Sequence, residues 1–288
     1  MTGRCDPSVH VAEEVVEPAP VQALAALFDD GLPTPRRGDV LPPLWHWAAL
    51  AAWPGSRATG PDGHAAVGGF LPDVGKPRRM FAGGSVRFDG VLVVGEPVRR
   101  ETRVLSVTPK SGRQGDFVLV VVETVVQGQD GRPALVERQD LVYRDPATPG
   151  GTRVAPELLL TTPALLEREG DWSWRFRTDA THLMRFSSAT GNGHRIHYDW
   201  PYATAVEGYP GLVVHGPLMT LALAEVLRLE SGGAPVRSLE HRNVRPLFCG
   251  RSAAVRGGPA GERHELVLAG TDDAPHTTLT AVLGAGVA

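Results

Sequence analysis

The chain has 288 residues, 42% of them hydrophobic and 21% charged, the balance of a globular protein rather than a disordered one. A formal net charge of −3 gives no global field toward nucleic acid or an anionic membrane, and no apolar run is long enough to span a bilayer. Two cysteines, Cys5 and Cys249, are too few for a disulfide framework or a zinc ribbon, so a reducing, cytoplasmic location is expected. Residues 1–19 lack a signal core, a transit character and apolar periodicity, and are expected to form a flexible tail. VQALAALFDD (21–30) and PPLWHWAALAAW (42–53) then read as helices, the second started by its prolines. Four Val-rich runs bounded by Gly, Pro or Asp follow as strands: RMFAGGSVRFDG (79–90), PVRRETRVLSVT (97–108), DFVLVVVETVVQ (116–127) and ALVERQDLVYR (134–144).

A second stretch rich in Pro and Gly, RDPATPGGTRVAPE (144–157), sets a domain boundary near residue 150. Beyond it DWSWRFRT (171–178) reads as a strand, and THLMRFSSATG (181–191) as a helix with Thr178 or Asp179 as N-cap. PLMTLALAEVLRLE (217–230) is the strongest helix of the chain, and residues 236–250, 262–271 and 276–286 supply further strands. Helices followed by antiparallel strands thus occur twice, in 20–150 and in 151–288, which predicts an α+β layer arrangement.

Chemistry concentrates in the second unit. FSSATGNGHRIHYD (186–199) packs polar groups around Asn192 to His197, and EGYPGLVVHGPLM (207–219) leads into the long helix. First-turn N–H groups have no internal partner and carry partial positive charge. Gly216 can bring its N–H close to an anion, while Pro217 has none to offer. Such a donor suits a thioester carbonyl that becomes enolate-like, and a nearby imidazole, His197, could move a proton or activate water.

The run FSSATGNGHRIHYDWPYATAVEGYPGLVVHGP resembles the MaoC-like, R-specific enoyl-thioester hydratase signature. Its wording, together with LPPLWHW, GPDGH, GGFLP, PRRMFAGG and QDLVYRD in the first half, is similar to the fused double-hotdog branch, which takes in mesaconyl-C4-CoA hydratases and mitochondrial-type 3-hydroxyacyl-thioester dehydratases. The resemblance covers most of residues 20–285 and implies two hotdog units, each an antiparallel sheet around a central helix. It implies a lyase that reversibly hydrates a 2-enoyl thioester of coenzyme A or acyl carrier protein, with no cofactor and no metal. A homodimer of such double units is a further expectation.

Carried over residue by residue, the resemblance makes His197 the catalytic imidazole and Gly216 the backbone donor, with His215 and Asp199 in the family's flanking positions. The chain departs from the pattern where the family has its catalytic Asp, here Asn192, and where it has Asn-Pro, here His194-Arg195. An amide cannot accept a proton at neutral pH, so Asn192 is left to orient water and His197 to act as sole base, with activity falling near its ordinary pKa of about 6.5. Substrate-binding candidates are His194, Arg195, Asp199, His215, Arg78 and Arg79. Arg195 either faces solvent or meets a carboxylate on a dicarboxylic, mesaconyl-type acyl group, and Arg78-Arg79 either ends a strand or binds carrier phosphates. Asp199 either caps a turn or acts on substrate, and His215 either fixes the turn before the helix or takes part in chemistry. A metal reading would use His194, His197, Asp199 and His215. No equivalent catalytic loop precedes residue 150, so the first unit is expected to be a scaffold forming the substrate tunnel, with Trp53 and Phe81 in its core. The alternatives are a hotdog thioesterase using Glu225 on the long helix, or a non-catalytic acyl-thioester-binding protein.

Overall fold

The computed structural model describes residues 9–66, 68–112, 115–146 and 161–284; the boundary expected near residue 150 lies outside them. Among the described residues, eleven strands form one antiparallel sheet: β1 (His10–Val15), β2 (Arg78–Phe88), β3 (Pro97–Gly112), β4 (Gly115–Gln127), β5 (Pro133–Arg144), β6 (Leu166–Gly170), β7 (Ser173–Phe176), β8 (Val236–Asn243), β9 (Ala253–Ala260), β10 (Arg263–Gly270) and β11 (Pro275–Leu283). Their spatial order is β1-β3-β4-β5-β2-β8-β11-β10-β9-β7-β6. Each half contributes its own antiparallel set. The two sets fuse where β2 pairs with β8, Gly83 opposite Arg242 and Arg87 opposite Ser238. The two sheets expected from the sequence are therefore one continuous surface.

The AGG of the first half is required by this junction. The register of β2 against β5 shifts between Phe81 and Gly83, and Gly83 sits at φ +155°. A Cβ there would lie 2.5 Å from the His241 carbonyl oxygen, so only glycine lets β8 approach.

The helices are α1 (Pro18–Phe28), α2 (His46–Ala49), α3 (Ala180–Thr190) and α4 (Gly216–Glu230). α4 is the central helix of the second half: every residue from Leu218 to Leu227 is buried, and it packs on β8 to β11. α1 buries Val21, Leu24, Leu27 and Phe28 and packs on α2 and α3. α3 opens with a capping box between Asp179 and His182 and closes at Gly191, which is left-handed at φ +61°.

Several expectations change. Residues 42–53 hold only the single turn α2, because Leu44 takes a left-handed φ of +67° before it and Pro54 disfavours helix after it. The N-terminal segment is no loose tail beyond residue 9: His10–Val15 pairs with β3 from Thr102 to Pro97, and Val16 is fully buried. Strand β9 (AAVRGGPA) was hidden by its glycines, yet a side chain at Gly257 would collide with the Glu265 carbonyl of β10. Trp53, expected in the core, is 62% exposed, while Phe81 lines a cavity.

Candidate active site

α3 ends at Gly191 and delivers Asn192, whose N–H donates to the Ser187 carbonyl at 3.0 Å. The Asn192 side-chain oxygen accepts from the His194 N–H at 3.1 Å, which leaves its amide nitrogen as the free donor end. A 3₁₀ turn, Arg195–His197, then carries His197 inward to 5% exposure. Its Nδ1 lies 2.7 Å from the Val213 carbonyl oxygen, a pure acceptor. Nδ1 therefore holds the ring proton and Nε2 the lone pair. Burial pulls the His197 pKa down to about 3, so the imidazole is neutral throughout the ordinary range. The acid limb expected near pH 6.5 is displaced far below that value.

His215 stacks on His197 with ring centroids 3.5 Å apart and 18° between planes. It is fully buried, its Nε2 lies 2.9 Å from Ser187 Oγ, and Phe186 packs edge-on at 4.8 Å. His215 and Ser187 form the floor that fixes the His197 ring, and Ser187 was not singled out in the sequence. Gly216 opens α4 directly after His215. A Cβ on Gly216 would sit 2.8 Å from Asn243 Nδ2, and Asn243 is fixed by the Phe81 carbonyl at 3.2 Å and the Thr277 hydroxyl at 2.8 Å.

Asn192, His194, His197, Gly216 and Asn243 all line one cavity of about 820 Å³ between the halves. That volume suits a bound organic ligand. Phe81, Leu141, Val142, Val214 and Met219 give it apolar walls, and Arg78, Arg79, Arg144 and Arg245 also line it. Arg78 donates to Glu207 at 2.5 Å and lies over the Tyr209 ring. Among the described residues, no carboxylate oxygen lies within 4.0 Å of the Arg79 guanidinium, which acts electrostatically on His64, His194 and Tyr143.

The structure places Arg195 elsewhere. Its guanidinium donates to Asp199 at 2.9 and 2.7 Å and to the Pro61 carbonyl at 3.0 Å, covers the Tyr202 ring, and does not line the cavity. Asp199 also accepts the Tyr202 N–H at 3.1 Å, which makes it a cap for the π-helical turn Tyr202–Val206. The metal set considered for the sequence, His194, His197, Asp199 and His215, does not form a ligating group among the described residues. Glu225 is buried, ion-paired with Arg228 and raised to about pKa 8, with burial as the main cause and Asp30 beside it. It does not line the cavity; the carboxylates that do, Glu137 and Glu207, are engaged by His46 and Trp47 and by Arg78.

Two residues of the first half also reach the site: Asp62 and His64, in the loop before β2. The His64 ring lies 4.1 Å from that of His194, which in turn meets His197 edge-on at 5.5 Å. Asp62, His64 and His194 each offer a ligating atom within 4.8 Å of the others. The sequence signal for the pair was GPDGH, a polar Asp-x-His in a Gly-Pro loop that carries no periodicity.

Residues 44–249 match the family hydroxyacyl-thioester dehydratase type 2, across the cavity-forming parts of both halves. The chain belongs to that family. Among curated relatives, the mesaconyl-C4-CoA hydratase of Chloroflexus aurantiacus is 38% identical over 91% of this chain and 90% of its own length. Among solved structures, HtdX of Mycobacterium tuberculosis superimposes with a TM-score of 0.64 at 20% identity, covering 95% of this chain and 98% of that one. A second M. tuberculosis protein, described as having a double hotdog fold, gives 0.54 at 14% identity over 97% of both chains. The architecture of this hydroxyacyl-thioester dehydratase is therefore the α+β double hotdog, and its reaction class is enoyl-thioester hydration and dehydration. No helix of the described residues is long and apolar enough to cross a membrane.

Proposed function

We propose that the enzyme adds water reversibly to a 2-enoyl thioester of coenzyme A whose acyl group ends in a second carboxylate, as the name of the mesaconyl-C4-CoA relative suggests. One observation carries the chemistry: the lone-pair nitrogen of His197 and the first-turn N–H of α4 belong to residues lining the same cavity. The thioester oxygen takes the Gly216 N–H, where a helix terminus favours the negative charge that develops on it. Asn192 and His197 Nε2 hold the water over the β-carbon. As the C–O bond forms, the π electrons shift toward the thioester oxygen, and a proton then reaches the α-carbon. Asn192 orients in this scheme, because its amide neither gains nor loses a proton. Arg79 receives the second carboxylate. It lines the same cavity as His194, and among the described residues no carboxylate pairs with it, whereas Arg195 and Arg78 are engaged by Asp199 and Glu207.

His197→Ala tests this reading. Hydration of an enoyl thioester, followed as loss of the conjugated absorbance, should fall about 10²- to 10⁴-fold. The circular dichroism spectrum should be unchanged, because α4 and the sheet supply the packing. An alanine variant with wild-type turnover would contradict the site.

A further inference from the structure

Hydration requires a group that carries a proton from water to the α-carbon. His197 is poorly suited to hold it for long: its Nδ1 faces a neutral carbonyl, and no carboxylate touches the ring among the described residues. The Asp62–His64 pair differs. Asp62 Oδ2 lies 2.8 Å from His64 Nδ1, and Asp62 Oδ1 accepts the His64 N–H at 3.0 Å. The carboxylate thus fixes the Nδ1–H tautomer, leaves Nε2 basic and stands ready to stabilise an imidazolium, the arrangement that activates histidine in hydrolytic triads. Burial alone would raise the Asp62 pKa, but the hydrogen bond and charge of His64 outweigh it and hold the carboxyl at about 2. Burial lowers the His64 pKa, so the ring rests neutral and able to accept a proton.

Placement of the pair is enforced by the backbone. The Asp62 carbonyl accepts the Arg195 N–H at 2.8 Å, and the Pro61 carbonyl accepts from the Arg195 guanidinium. Gly63, at φ +90°, lies so close to the Gly193 carbonyl that a Cβ would overlap it. Three consecutive residues of the first half are therefore clasped to the 192–197 loop of the second, and His64 lines the same cavity as Asn192 and His197.

We infer that His64, positioned by Asp62, is the proton carrier of the reaction and stands in for the acid that Asn192 cannot be. This rests on the hydratase reading. His64 Nε2 takes one proton from the water as its oxygen bonds to the β-carbon and the π pair moves to the thioester oxygen. The imidazolium, balanced by Asp62, then gives that proton to the α-carbon as the enolate collapses. The water's two fragments end on the two carbons and nothing else is consumed. His197 holds the attacking water. The first half thereby contributes chemistry as well as a cavity wall.

The experiment uses the full chain with His64→Asn, Asp62→Asn and the double variant His64→Asn/Asn192→Asp. His64→Asn should lower kcat by 100-fold or more with KM within a few-fold, and the double variant should regain at least tenfold by restoring an acid at 192. Exchange of the α-protons of butyryl-CoA in D₂O, a saturated thioester that can neither gain nor lose water, should vanish in His64→Asn and persist in His197→Ala. Should His64→Asn not fold, Asp62→Asn decides: the wrong tautomer should cost it at least tenfold in kcat and abolish exchange. Wild-type turnover or exchange in the folded His64 variant, or in Asp62→Asn, would overturn the assignment. So would activity that is lost to a chelator and restored by Zn²⁺, which would make Asp62, His64 and His194 metal ligands. A wild-type protein that hydrates nothing would instead defeat the hydratase reading itself.

Discussion

On the proposed reading, the Arg79 guanidinium sets substrate choice. A carboxylate on the acyl chain would meet it through a charge-assisted contact worth roughly 1.5–3 kcal/mol, about 10- to 150-fold in binding. Arg79→Ala should therefore raise KM for mesaconyl-C4-CoA by that factor and leave crotonyl-CoA nearly unaffected. Arg195→Ala should change both substrates alike, since it releases Asp199 and the Pro61 carbonyl rather than a ligand. Equal effects of Arg79→Ala on both thioesters, measured by initial rates, would remove it from substrate recognition. At this scale the sequence was informative where a motif fixed a position. His197 and Asn192 could be named because the resemblance to the MaoC-like pattern assigned their positions, and Gly216 because it precedes Pro217 at a helix start; the structure has all three line one cavity. Which arginines of the site are taken up by carboxylates of the described residues was not readable, because that depends on Asp199 and Glu207 arriving from turns whose geometry no local pattern encodes.

Strand β1 shows the limit of local patterns at the scale of an element. HVAEEV reads as a polar terminus, yet it adds an edge to β3, with Glu14 bonded to Arg100 at 2.7 Å and Val16 clasped by backbone bonds to Gly95 and Glu96. Arg100 also donates to the Leu50 carbonyl and lines the cavity. A chain starting at residue 16 should be destabilised by roughly 1–3 kcal/mol. For a protein of this size that is several degrees of Tm, which a thermal melt would show. An unchanged melting temperature would return the segment to a dispensable tail. α4 lies at the opposite extreme: its predominantly apolar run, interrupted only by Thr220 and Glu225 between Leu218 and Leu227, and Pro217 gave its bounds to within a residue, because a helix buried on all sides has to be largely apolar.

Across the whole molecule, the site exists only because two halves meet. The β2–β8 junction and the 61–63 clasp bring His64 to His194, a contact between residues far apart in sequence and therefore invisible to any window along it. The same enclosure has a cost in acid. Burial lowers the pKa of His64, His182 and His215, and brings His241 to about 4, His197 to about 3 and His194 to about 2. In the unfolded chain these rings titrate near 6.5. Below that pH the unfolded state binds more protons, so the stability present above about 6.5 should be lost progressively as pH falls toward the folded values. Tm measured from pH 7.5 to 5 should drop steadily below 6.5, and acid inactivation should track unfolding; a flat Tm would contradict the buried neutral imidazoles. The central claim, that this cavity adds water to an enoyl thioester, is tested most directly with the purified protein, crotonyl-CoA and mesaconyl-C4-CoA, following enoyl absorbance and free thiol together. Loss of absorbance without thiol release, faster on mesaconyl-C4-CoA, is the predicted result; thiol release, or no change in either signal, would contradict it.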